Sequence, residues 1–84
     1  MKEKLNQLLE TIAKAEADVE NRKLFQAVVS QCLASGMFAL SELADEFSCS
    51  CPTIQRWSDG ESACHPVGRP SVYRLIKEKV KAKM

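Results

Sequence analysis

The sequence predicts an all-α fold, a small bundle of about five helices. Three observations predict it. Apolar residues recur at three- and four-residue spacing along most of the chain, no proline or glycine occurs before Gly36, and no stretch carries a strand signal. The 84 residues make one small domain, whose modest core would gain from oligomerisation. Internal repeats and low-complexity tracts are absent.

Residues 1–36 read as helix, with a polar break around 18–22 where Asp18 or Asn21 offers a cap. Before the break, Leu5, Leu8, Leu9, Ile12, Ala15 and Val19 form one apolar stripe. This first segment, residues 1–20, either folds back on the rest of the chain or pairs with the same stripe of a second copy. It is too short for a sustained heptad repeat. After the break, residues 21–84 make the main domain. Its first helix carries Leu24, Phe25, Val28, Val29, Cys32 and Leu33 on one face and ends in the C′ manner at Gly36.

Residues 40–60 read as two short helices joined by a tight turn. Leu40, Leu43, Ala44 and Phe47 share a face, with Ser41 as the expected N-cap and Glu42 following it in the first turn. Ser48, Cys49 and Ser50 interrupt this helix. Ser50 can cap a second one, with Cys51, Pro52 and Thr53 in its first turn, where proline costs no intrahelical bond. Ile54 and Trp57 turn inward, Thr53, Gln55, Arg56 and Ser58 outward, and Asp59-Gly60 ends the helix. Two helices packed near a right angle across about three residues make a helix-turn-helix. Ala44 is the small residue at the crossing, and Leu43, Phe47, Cys49, Ile54 and Trp57 lock the pair.

Residues 61–70 form a loop rich in turn residues, with a short helical turn able to start at Pro66. The last helix is expected from Pro70 or Ser71. Val72, Leu75, Ile76 and Val80 face inward and Tyr73 lies at the margin.

The apolar spacing of 40–60, together with the run RWSDGESACHPVGRPSVYRLI, resembles the phage-repressor (Cro/C1-like, XRE-type) family of helix-turn-helix DNA-binding proteins. The resemblance covers residues 24–80 in outline and leaves the N-terminal helix as an addition. Two positions depart from the family pattern. Ser48 stands in the turn where glycine is frequent, and Cys51 stands where Arg or Gln often lies near the DNA.

The resemblance implies a transcriptional regulator of a bacterium or phage that binds double-stranded DNA, with the helix at about 50–58 in the major groove. Ser50, Cys51, Pro52, Thr53, Gln55 and Arg56 would then face DNA. Gln55 can pair bidentately with adenine, and Arg56 can reach guanine or a phosphate. Ser50 and Thr53 suit hydrogen bonds to phosphate or base, while Cys51 and Pro52 offer apolar contact to a thymine methyl. Arg69 and Arg74 could clamp the flanking phosphodiester, as could Ser62 and His65. The ordinary roles of these side chains are capping for Ser50, a solvated face for Gln55 and Arg56, and an exposed loop for His65. Trp57 falls on the Ile54 face and belongs to the core. The family pairs on half-sites about one helical turn apart, and the extra helix is the candidate for a homodimer contact.

Charge is divided along the chain. Residues 1–48 hold five basic and eight acidic side chains (5 − 8 = −3), and residues 49–84 hold seven and three (7 − 3 = +4). The half with the second motif helix is the basic one, which suits phosphate. Lys77, Lys79, Lys81 and Lys83 equally suit a terminal helix whose dipole they complement. No run of about 20 apolar residues spans a membrane and no signal peptide opens the chain, which points to the cytoplasm. There the four cysteines, Cys32, Cys49, Cys51 and Cys64, are expected as thiols.

Cys49, Cys51, Cys64 and His65 offer a rival reading as zinc ligands, but a C-x-C followed by an adjacent Cys-His departs from the two close pairs that zinc prefers. A single histidine and no Gly-rich phosphate loop leave no catalytic constellation, so no enzyme, metal or cofactor is expected. The competing function is a protein-interaction module that keeps the fold without strong DNA binding. The acidic first half, the N-terminal stripe and Cys51 motivate it.

Overall fold

Five helices form where the apolar spacing places them. They are α1 (Lys2–Ala17), α2 (Arg22–Ala34), α3 (Leu40–Glu46), α4 (Cys51–Asp59) and α5 (Arg69–Lys83), and no strand occurs among the described residues. The computed structural model describes residues 2–36 and 38–83. The two chain ends of the segments read as 1–20 and 21–84 lie outside the described residues, as do the side chains of Lys2, Lys4 and Lys83.

The helix ends explain themselves locally. Asn21 caps α2 by accepting from the Leu24 N–H at 3.1 Å, so of the two candidate caps the chain uses the second. Gly36 follows the end of α2 at φ +75°, as a C′ glycine does. Helix α3 departs from expectation. Ala39, with no side-chain cap bond, holds the N-cap position in place of Ser41, and its carbonyl accepts from the Leu43 N–H at 3.1 Å. Starting at Leu40 sets that residue partly into the core and leaves Ser41 exposed in the first turn.

The α1 stripe folds back. Leu5, Leu8, Ile12 and Ala15 are buried in the same core as Phe25, Val28, Val29 and Cys32 of α2, with α5 closing the layer through Val72, Tyr73, Ile76 and Val80. Four of the six stripe residues thus pack within the chain, while Leu9 and Val19 are half-buried at its edge. Burial on this scale is the main source of stability in so short a chain. It costs the Cys32 thiol its hydration, pushing its pKa up to about 12.

Two further expectations are corrected. Tyr73 is not marginal but fully buried, its ring 6.0 Å from that of Phe25. Loss of hydration pushes its phenol up to about 12, against the opposing pull of the Arg69 charge. Helix α5 starts at Arg69, before Pro70, because the turn over 66–68 leads straight into it. The Arg69 N–H bonds the Pro66 carbonyl at 3.3 Å, and the Val72 N–H bonds Gly68 at 3.4 Å.

Candidate functional site

The turn between α3 and α4 sets the direction of α4. Ser48 takes a left-handed conformation at φ +53°, where a side chain is disfavoured by about 1–2 kcal/mol. Glycine would be natural there. The Cys49 N–H bonds the Ala44 carbonyl at 2.9 Å and closes the turn against the end of α3. Ser50 then caps α4, its Oγ accepting from the Thr53 N–H at 3.3 Å and sharing a 2.8 Å hydrogen bond with Thr53 Oγ1. Gly60 ends α4 at φ +83°, as the Asp59-Gly60 pair predicts.

Helix α4 has one side in the core and one in solvent. Ile54 and Trp57 are buried, and the Trp57 ring meets Phe25 edge-on at 5.3 Å between centroids. Ser50, Pro52, Gln55 and Arg56 are exposed, whereas Cys51 and Thr53 are half-buried and Cys51 packs against the core. Arg56 makes no hydrogen bond or ion pair through its side chain to any described residue. Gln55 donates from Nε2 to Asp59 Oδ1 at 3.0 Å. An exposed pair of this kind holds about 0.2–0.5 kcal/mol, so the amide can leave it for a better partner.

The loop after α4 is held by residues that the sequence reading did not single out. Arg22 donates to the Glu61 carbonyl and Gln26 to the Ser62 carbonyl, both at 2.9 Å, tying the exit of α4 to the face of α2. His65 Nδ1 accepts from the Val67 N–H at 3.2 Å, and His65 is exposed, in keeping with an ordinary loop role.

Arg69 is a correction. It is only 5% exposed. Its Nε donates to the Cys64 carbonyl at 2.7 Å and one terminal nitrogen to the Val19 carbonyl at 2.9 Å, while the guanidinium carbon lies 5.5 Å from the Phe25 ring centroid. A guanidinium so committed is not free to clamp a phosphate. It joins three parts of the fold instead: the α1–α2 turn, the loop after α4 and the start of α5.

The cations of the second half are partly neutralised. Lys77 pairs with Glu16 at 2.9 Å and Lys79 with Glu46 at 3.0 Å. The motif itself is acidic, since residues 40–60 set Arg56 against Glu42, Asp45, Glu46 and Asp59 (1 − 4 = −3). No group of three or more metal-binding side chains occurs among the described residues. No helix among them is long and apolar enough to cross a membrane. Comparisons with protein-family models, curated proteins and solved structures find no match to this chain.

Proposed function

We propose that the chain is a sequence-specific binder of double-stranded DNA, a transcriptional regulator of the repressor-like helix-turn-helix type, which lays α4 in the major groove. The observation that carries the reading is the division of α4. Its apolar side is anchored by Ile54 and Trp57, while Ser50, Pro52, Gln55 and Arg56 stand in solvent at its outer side. Gln55 is the adenine reader, Arg56 meets guanine or phosphate, and Ser50 with Thr53 brings hydroxyls and the helix N-terminus to the backbone. Cys51, half-buried, gives at most an edge contact to a thymine methyl. Arg69 is withdrawn from the contact set. A second copy on a paired half-site would dock through a face other than the buried residues of the α1 stripe.

The test is selection of bound sequences from a random duplex pool, followed by anisotropy titrations of the selected site at several salt concentrations. A preferred sequence whose affinity falls with added salt supports the reading. The net −3 of residues 40–60 favours a second reading, a protein-interaction module on the same fold. Failure to enrich any sequence, with a flat salt response, would overturn the DNA reading and favour that module.

A further inference from the structure

A groove of about 360 Å³ opens between the α3–α4 pair and α5. It follows a seam in the packing. Helix α3 packs on α4 and α4 on α2, whereas α5 rests on α1. Phe47, Trp57, Val72 and Leu75 make the wall largely apolar. Phe47 and Leu75 are only half-buried, so part of that apolar surface still faces water. The volume is that of a small-molecule pocket. It holds one ring and a short chain, not the row of anchors that a docked helix lays along a groove.

Charge narrows the choice of occupant. Glu46 is the only acidic or basic residue among the described lining residues. Its Oε1 lies 3.0 Å from Nζ of Lys79, on α5. Because α5 forms the opposite wall, this pair crosses the seam and holds the carboxylate at its mouth. The two side chains are 38% and 28% exposed, so the pair is a weak surface contact that exchanges readily. A carboxylate has acceptor sites for more than one donor, so a second ammonium can join Lys79 there or replace it. The same charge repels an anionic ligand.

We infer that this seam binds a small primary amine carrying one aromatic ring. The ring lies among Phe47, Trp57, Val72 and Leu75, where the two aromatic side chains offer edge and offset contacts. The ammonium lies at Glu46. So placed, the amine fills the space between α3–α4 and α5 and links the two walls. A neutral ring of the same shape gains only the apolar part of this, and a carboxylate loses from the charge.

The test uses phenethylamine as the probe, with phenethyl alcohol and hydrocinnamate as its neutral and anionic counterparts. Each is titrated into the intact chain, followed by two-dimensional NMR and by the fluorescence of the single tryptophan, Trp57. The expected result is saturable shifts at Phe47, Trp57, Val72 and Leu75, with the amine bound most tightly and the carboxylate least. The amine should exceed the alcohol by up to about fivefold, the worth of one exposed ion pair. Glu46→Gln should bring the amine down to the level of the alcohol and leave the alcohol unchanged. Lys79→Met, which removes the competing cation, should instead widen the preference for the amine. Both side chains lie at the surface, and circular dichroism establishes that each variant is folded. Shifts that do not saturate or that fall away from the groove would overturn the inference. So would equal binding of the three probes, a preference for the amine that survives Glu46→Gln, or one that shrinks in Lys79→Met. None of these readouts involves DNA, so the inference stands or falls apart from the proposed function.

Discussion

Replacing Arg69 by methionine should cost stability rather than a ligand contact. Methionine keeps most of the apolar stem beside Phe25 and removes the charged head. Two charge-assisted hydrogen bonds are lost, to Val19 and Cys64, and each such bond contributes about 1.5–3 kcal/mol. The cation–π contact with Phe25 adds about 0.5–2 kcal/mol. Against this, the variant no longer buries a charge, and Val19 and Cys64 are only half-buried, so water can satisfy part of what is lost. The net expectation is a loss of about 2–4 kcal/mol. That is a large share of the roughly 4–13 kcal/mol expected for a domain of this size. Urea unfolding followed by the single buried tryptophan, Trp57, measures it directly. Arg69→Lys should fall in between, because an ammonium lacks the planar fork that reaches both carbonyls. If Arg69→Met unfolds at the wild-type urea midpoint, within about 0.5 kcal/mol, the guanidinium does not hold the fold together and its role as a phosphate clamp is reopened.

Ser48→Gly should stabilise by about 0.5 kcal/mol, since relief of the left-handed conformation slightly exceeds the added flexibility of the unfolded chain; an unchanged or lower thermal midpoint would count against strain at this turn. Ser50→Ala should cost about 1 kcal/mol through loss of the α4 cap, read from chemical denaturation. Alkali should destabilise the fold. Cys32 and Tyr73 hold their protons to about pH 12 when folded, and release them near their ordinary values of 9.0 and 10.0 when unfolded. The contribution of Cys32 is therefore present in full below pH 9 and that of Tyr73 below pH 10, and both are lost as the pH rises towards 12. Cys32→Ala should flatten the curve between pH 9 and 10, and a slope unaltered by that change would refute the assignment. Gln55→Ala should relax preference at one base position by about 1–3 kcal/mol without changing the others, measured by anisotropy on single-base variants of the selected site.

Most of the fold was legible because its signals are local. The Asn21, Ser50 and Gly60 caps, the Ile54–Trp57 face and the α1 stripe can each be read within one or two turns of helix. What the sequence left open depends on contacts far apart along the chain. Whether the α1 stripe meets α2 or a second molecule is the same pattern in either case. Arg69 reaches Val19 across fifty positions, and nothing near Arg69 in sequence distinguishes a buried guanidinium from an exposed one. Tyr73, expected at the margin, stands in the sequence between inward-facing Val72 and outward-facing Arg74. Its burial comes from Phe25, on another helix. The same holds for Arg22 and Gln26, whose grip on the loop after α4 spans 39 and 36 positions. At Ala39 the reason is different: the helix gains more from seating Leu40 than from using the hydroxyl of Ser41 as its cap.

Charge sets how DNA binding would have to look. Of the basic side chains from residue 49 onward, Arg69 is buried and Lys77 and Lys79 are paired, which leaves Arg56, Arg74 and Lys81 unpaired among the described side chains. If each of the three neutralises one phosphate, affinity should fall with salt at a logarithmic slope of about −3 per chain, and about twice that for a pair on two half-sites. Such a slope is shallow for a DNA-binding protein. It means that little affinity would come from non-specific attraction, and that discrimination would rest on Gln55 and Arg56 at the base edges. The acidic residues of α3 would act in the same direction, by repelling duplex that does not seat α4 fully in the groove. A measured slope near −3 together with strong single-base penalties at the Gln55 position would fit this economy of contacts, whereas a steep slope with weak base preference would mean that the α4 face is not what holds the duplex.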